Sequence, residues 1–277
     1  MSIFNKYSKE TRNLLIGFEK EFRDRLISIE NGIHTIAEKI DPALSDQIPN
    51  NIYRGHPDQA FGPYTYAQHG EDLIFANIFW LLNIENPSYI DIGAHHPINI
   101  SNTALLYKRG SRGINIEANP NLIGAFYEHR PRDINLNIGI SDKPGNLEFY
   151  CIDEYSGRNT FDRKTAEKFV LENPEFKIRE VKTVEVKTIN DIIRQYANGV
   201  YPDLLSIDIE GLDYRVLSSA DFSKSFPKVI CAEITQLNMG ENICELLESR
   251  DYIPYTCTVG NIIFIHKSVY RPLFSKK

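Results

Sequence analysis

The chain has 277 residues and a net charge of −6 at neutral pH, with 42% hydrophobic and 25% charged residues. This is the balance of an ordinary soluble globular protein, long enough for one large domain or two small ones with a substantial core. A pI near 5.7 argues against a nucleic-acid-binding surface. Cys151, Cys231, Cys244 and Cys257 form no close pair, so neither a zinc knuckle nor a redox motif is indicated, and reduced core thiols are expected. The first residues lack the apolar region of a signal peptide and no apolar run reaches a membrane span, so the expected location is the cytoplasm.

In chain order, Leu15, Phe18, Phe22, Ile29, Ile33, Ile36 and Ile40 recur at steps of three, four or their sum, with charged residues between them. This predicts a helix over 1–40 with one apolar seam, packed on its own domain or paired with another subunit. Residues 41–64 turn rich in Pro, Asn, Gly and Asp and read as a linker. From residue 65 to 277 the pattern is alternating helix and strand: a helix over 68–82, a strand over 88–92, a helix over 100–109 and a strand over 113–117. A helix opened by Pro120 runs through His129, a strand spans 133–140, and an extra strand spans 147–152. Residues 153–180 read as an insertion or lid. A strand over 181–186, a helix over 189–196, a strand over 203–209 and a helix from about Tyr214 follow. A strand over 228–234, a helix over 240–249 and a closing hairpin of 252–257 and 261–266 complete the series. Repeated βα units predict a doubly wound, mostly parallel sheet with helices on both faces, and the hairpin adds one antiparallel strand.

In such a sheet the ligand crevice lies at the carboxyl ends of the strands. The first strand ends Asp91-Ile-Gly93-Ala94, and the second ends at Glu117. Gly93 permits a sharp turn, but the dinucleotide pattern G-x-G-x-x-G is absent. A carboxylate at the position of Glu117 can accept both hydroxyls of a ribose or cap the helix that starts near Pro120.

The strings Gln68-His-Gly-Glu71-Asp72, Tyr89-Ile-Asp-Ile-Gly-Ala-His-His-Pro97, Ser101-Asn-Thr103, Gly113-Ile-Asn-Ile-Glu117, Val184-Glu-Val-Lys-Thr-Ile-Asn-Asp191 and Ser206-Ile-Asp-Ile-Glu-Gly211 follow one another in this order. Together they resemble the FkbM family of methyltransferases over residues 65–266. The resemblance implies a class I fold with a seven-stranded Rossmann-like sheet and S-adenosylmethionine as cofactor. Asp91, Gly93 and Ala94 would then face its methionine portion, Glu117 its ribose, and Asn137 and Ile138 its adenine. Gln68 with Glu71 or Asp72 would close over it, and Ser101 belongs to the same cofactor-facing set. The paired His95-His96 departs from some relatives.

Methyl transfer to a hydroxyl needs an aligned acceptor and a base or a metal. Strand alternation predicts Asp208 and Glu210 on one face at the crevice, as base or as ligands of a divalent ion, with Glu233 as a third member. One of the pair could instead simply cap a helix. His96 could orient substrate, act as base or bind metal, or merely hold its loop. Tyr155, Arg158, Asn159 and Thr160 could grip a sugar or its diphosphate, or form a solvated turn. The expected activity is O-methylation of a sugar, nucleotide sugar or related polyhydroxylated metabolite, as in surface-polysaccharide or natural-product biosynthesis. The alternatives are a nicotinamide-dependent oxidoreductase, disfavoured by the missing glycines, and a non-catalytic scaffold assembled through the N-terminal helix.

The N-terminal seam yields a direct test by light scattering. The full chain is expected to form a dimer or larger assembly, and a chain starting near Asn51 a folded monomer. A full-length monomer at micromolar concentration contradicts pairing through the seam.

Overall fold

Tyr89–Ile92 (β1), Gly113–Ile116 (β2), Leu204–Ile207 (β7) and Val229–Glu233 (β8) are short, largely apolar runs that are buried almost throughout. Runs of this kind belong in a parallel sheet covered on both faces. The computed structural model describes residues 65–153, 157–233 and 243–274. The expected helix over 1–40, the linker 41–64 and Tyr155 lie outside the described residues. Residues 64–277 form a compact unit of their own.

The remaining strands are Ile134–Leu136 (β3), Gly139–Ile140 (β4), Gly145–Cys151 (β5), Glu180–Lys187 (β6), Tyr252–Cys257 (β9) and Asn261–His266 (β10). The helices are Glu71–Leu81 (α1), Ala104–Lys108 (α2), Pro120–His129 (α3), Arg163–Glu172 (α4), Ile189–Tyr196 (α5), Asp213–Ser219 (α6), Ile243–Glu248 (α7) and Lys267–Phe274 (α8). The main sheet has seven strands in the order β3-β2-β1-β7-β8-β10-β9, with β10 antiparallel to both its neighbours. This is the seven-stranded, mostly parallel architecture that the resemblance implied. The chain steps from β1 outward to β3 and then returns to place β7 on the other side of β1. The crevice therefore opens beyond the carboxyl ends of β1 and β7, where the strand order reverses.

Several boundaries follow from local capping. The side chain of Asn119 accepts from the Asn121 amide ahead of Pro120, and Thr188 accepts from the Asp191 amide, which fixes the starts of α3 and α5. The expected strand over 133–140 is broken at Asn137. β3 stays in the main sheet, while β4 pairs with β6 in a second, three-stranded sheet with β5. The insertion over 153–180 contains a helix, α4, started by the Asp162 side chain. Only Ala166 of that helix is buried, so it lacks the apolar stripe that would mark it in the sequence. The chain also continues past the hairpin into α8, whose Pro272 speaks against a helix when read in isolation.

The two faces of the sheet are covered differently. Ile90, Ile92, Ile114, Ile116, Leu205 and Ile207 pack with Ile192 and Ile193 of α5 and with Val216 and Leu217 of α6. On the other face Tyr89, Leu204, Val229, Cys231, Ile263 and Ile265 pack on Phe75, Ile78 and Phe79 of α1. Each buried apolar side chain contributes about 1.5–3 kcal/mol.

A polar row crosses this second face. Asn135, Asn115, Asp91, Ser206 and Cys231 are register partners from β3 to β8. Arg130, fully buried at the end of α3, ties it together. Its guanidinium donates to Asp133 at 2.9 Å, to the Pro97 carbonyl at 3.0 Å, to the Tyr89 hydroxyl at 2.7 Å and to Thr103 Oγ1 at 3.1 Å. Thr103 Oγ1 in turn donates to Asp91 at 2.7 Å. Truncating one partner of a buried charge pair strands the other, at about 3–5 kcal/mol. Arg130→Met is therefore expected to lower unfolding stability in urea by about that amount; unchanged stability would show that the network carries no structural load.

Candidate functional site

Three chain turns meet beyond the carboxyl ends of β1, β2 and β7. Gly93 adopts φ 80°, and its amide and that of Ala94 both donate to the Ile116 carbonyl, at 3.0 and 3.1 Å. A Cβ at Gly93 would lie 1.8 Å from the carbonyl oxygen of Asp208, so only glycine lets the two turns touch. The Asp208 amide donates to the Ile92 carbonyl at 3.0 Å, which extends the β1–β7 pairing into the turns.

Glu117 stands just beyond β2. Its Oε2 accepts from the His95 amide at 2.8 Å and its Oε1 from the Asn119 amide at 2.7 Å. The second bond is the helix-start role considered for this residue. The first fixes the carboxylate toward the β1 turn and leaves each oxygen further acceptor capacity. Burial pushes its pKa up to about 7, with the charges of Asp91 and Asp208 adding to the rise against the two amide bonds.

A narrow cleft of about 50 Å³, room for only a few waters, runs between these turns. Gly93, His95 and Glu117 line one side, Ile138, Phe149 and Phe161 an apolar wall, and Asp208, Ile209 and Glu210 the other side, with Gly157, Asn159 and Thr160 above.

The acids on the far side are brought together differently from expectation. β7 ends at Ile207, so strand alternation does not align Asp208 with Glu210. Instead Glu210 takes φ 50° and Gly211 φ 106°, and this tight turn brings carboxylate oxygens of Asp208, Glu210 and Glu233 within 4.8 Å of one another. Asp213, buried at the start of α6, accepts from the Ile209 and Gly211 amides, both at 3.3 Å, and holds the turn. Burial, then the charge of Asp213, pushes Glu210 up to about 7. Burial, then the charge of Glu210, raises Asp208, while a hydrogen bond with Glu233 lowers it; burial, then the charge of Asp208, raises Glu233 further, and one Oε of Glu233 is buried without a hydrogen-bond partner among the described residues. Such a set can hold a proton for transfer or ligate a divalent ion.

The other expected residues separate into those at the cleft and those engaged elsewhere. Asp91 does not line the cleft; its side chain lies in the polar row, hydrogen-bonded to Thr103. Glu71 accepts from Thr258 Oγ1 and Asn261 Nδ2, tying α1 to the β9–β10 turn. Asp72 accepts from Thr65 Oγ1 and the Tyr66 amide and folds that segment onto the helix start. Gln68 is exposed. Ala94 packs on Ile123 and Phe126. Ser101 is buried with its amide donating to the Tyr66 carbonyl. Asn137 donates to the carbonyls of Glu117 and Ala118, positioning the end of β2, while Ile138 lines the cleft.

His96 is a loop residue: its Nδ1 accepts from the amides of Ile98 and Asn99 at 3.1 and 2.8 Å, and burial lowers its pKa. Its neighbour His95, with φ 54°, is the histidine in the cleft and faces Gly157. Asn159 closes its own loop by accepting from the Ile152 amide and donating to the Asp153 carbonyl. Thr160 Oγ1 donates to the Glu210 carbonyl at 2.9 Å. The guanidinium of Arg158 lies over the rings of Phe169 and Phe176, at 5.2 and 5.7 Å. The aromatic wall of Phe149 and Phe161, ring centroids 4.8 Å apart, was not legible in the sequence, because it depends on the second sheet.

Sheet order and crevice together define a class I, Rossmann-like methyltransferase fold. The chain belongs to the FkbM methyltransferase family: residues 91–254, more than half of it, match the model of the methyltransferase FkbM domain. A solved structure, the precorrin-6y C5,15-methyltransferase from Geobacter metallireducens, aligns at 15% identity over 70% of this chain and 87% of that one, with a TM-score of 0.34. No curated protein matches the chain. Among the described residues no helix is long and apolar enough to cross a membrane.

The raised carboxyls make stability fall with pH. Glu117, Glu210 and Asp213 carry folded pKa values of about 7, against about 4 in the unfolded chain. The folded state thus binds protons more tightly, and their contribution is full below about pH 4 and lost as pH rises through about 7. Tm is expected to be several degrees lower at pH 8 than at pH 5.5 by calorimetry; a higher Tm at pH 8 would show that these groups are not buried together in the folded protein.

Proposed function

We propose that the chain is an S-adenosylmethionine-dependent O-methyltransferase of the cytoplasm. Its acceptor is a hydroxyl of a sugar, nucleotide sugar or related polyhydroxylated metabolite, as in surface-polysaccharide or natural-product assembly. The observation that carries the reading is one cleft with Glu117 on one side and Asp208 on the other, separated by the Gly93 turn. Family membership leaves no support for the nicotinamide alternative.

The donor set fits the cofactor. The Glu117 carboxylate, steadied by two amides, offers acceptors to paired ribose hydroxyls, and Ala118, Leu122 and Ile138 offer apolar surface for a flat base. When bound, S-adenosylmethionine supplies an electrophilic methyl group on a sulfonium. Asp208 takes the proton of the acceptor hydroxyl, and its raised pKa suits a base working near neutrality. Glu210 and Glu233 steady the base through their proximity, or join it in holding a divalent ion. The apolar wall excludes water from the transferring methyl group.

Glu117→Ala is expected to weaken S-adenosylhomocysteine binding by about 1–3 kcal/mol in calorimetry, the cost of lost hydrogen bonds to a charged group. Unchanged affinity would remove the ribose role. Asp208→Asn is expected to reduce turnover on the order of 100-fold or more while cofactor affinity stays within a few fold, because the base acts in the transition state. In the wild type, turnover should rise with pH through the neutral range as Asp208 ionises. Normal turnover of the variant contradicts the base, and activity lost to a chelator and restored by magnesium identifies the metal-holding version.

A further inference from the structure

Charge in the cleft narrows the acceptor. The titratable residues lining it are Glu117, His95, Asp208 and Glu210, and Glu233 and Asp213 stand directly behind the last two. Among the described residues no lysine or arginine lines it. The cation expected to grip a diphosphate, Arg158, is instead spread over the rings of Phe169 and Phe176, and its charge offsets Glu210.

Helix ends could substitute for basic side chains, since their amides favour anions. Here the chain's own carboxylates already occupy them. Glu117 takes the Asn119 amide at the start of α3, and Asp213 sits in the first turn of α6 with the Ile209 and Gly211 amides on it.

We propose that the acceptor is neutral or cationic around its reacting hydroxyl: a neutral glycoside or an amino sugar, not a sugar phosphate or nucleotide diphosphate sugar. This rests on the reading of the cleft as a methyl-transfer site. Phosphate recognition depends on arginine or lysine forks and backbone amides; among the described residues no such fork lines the cleft, and the amides at the starts of α3 and α6 are taken. The grouped carboxyls are partly ionised near neutrality, and the charge they then carry repels a phosphate and attracts a sulfonium or an ammonium. The same acids that align the methyl donor thereby select against anionic acceptors.

The full-length protein is first tested for S-adenosylhomocysteine binding. Failure there overturns the underlying methyl-transfer reading. The loaded protein is then titrated by calorimetry with glucose, glucosamine, glucose 6-phosphate and UDP-glucose. In parallel it is incubated with methyl-labelled S-adenosylmethionine and a cellular metabolite extract, with magnesium or with a chelator, and the labelled products are separated on an anion exchanger. Glucosamine or glucose is expected to bind at least tenfold more tightly than either phosphorylated sugar, and the label to appear in the unretained fraction. Tighter binding of glucose 6-phosphate or UDP-glucose, or label retained on the exchanger in either buffer, overturns the charge selection and leaves the methyltransferase reading standing. So does a loaded protein that neither binds a neutral or amino sugar nor labels an unretained product.

Discussion

The main chain of the β1 turn lies directly on the main chain of the β7 turn, and the cleft depends on that contact. Gly93 makes it possible: any side chain there would occupy the position of the Asp208 carbonyl. Because the turns touch, the carboxylate after β2 and the carboxylates after β7 face one space, with Glu233 at the end of β8 behind the latter. In the proposed reaction a cofactor-holding group and a proton-accepting group are thus set side by side by backbone geometry, with no long side chain reaching across. Orientation of this kind lowers the barrier to a displacement reaction by about 7–11 kcal/mol in well-aligned cases.

The sheet beneath is fixed by a different device. A row of polar side chains through a parallel sheet is costly unless every member is paired. Asp133 accepts from Asn115, the Arg130 carbonyl accepts from Asn135, Thr103 donates to Asp91 and Asn102 donates to Ser206, while the Arg130 guanidinium also holds the Pro97 carbonyl at the far end of the loop that follows Gly93. The network therefore braces, from behind, the loop that carries His95. Burial then does opposite things on the two faces. Behind the sheet the ion pair of Arg130 and Asp133 compensates it; in front, the carboxyls are left facing one another and take up protons. The cleft gives up stability as pH rises through neutrality and these carboxyls ionise, and in the proposed reaction they stand where a sulfonium would be held.

Much of this was legible in the sequence, and the misses share a physical cause. Local chemistry marks α3 and α5, whose caps are adjacent to their first residues, and the apolar runs of β1, β2, β7 and β8 stand out from polar neighbours. The acids at strand ends are visible too, but their roles are not. Asp91 and Glu117 are both acids beside the crevice. Only the fold shows that Asp91 points into the row braced by Arg130, while Glu117 turns to the cleft. His95 and His96 differ by a single position, and a left-handed backbone at His95 decides which one faces the cavity. The second sheet escaped because the break at Asn137 is set by its bonds to the carbonyls of Glu117 and Ala118, which are distant in sequence. Long-range partners, not local propensity, made each of these choices.

In the proposed reaction one cleft holds the methyl donor with its methyl group turned toward an acceptor hydroxyl beside the acids across the Gly93 turn. A crystal structure with S-adenosylhomocysteine tests it most directly. The account predicts both ribose hydroxyls on the Glu117 carboxylate, the sulfur facing Asp208, and residues 157–161 moved outward to admit the ligand. A ligand seated away from Glu117, or with its sulfur turned away from Asp208, would contradict it.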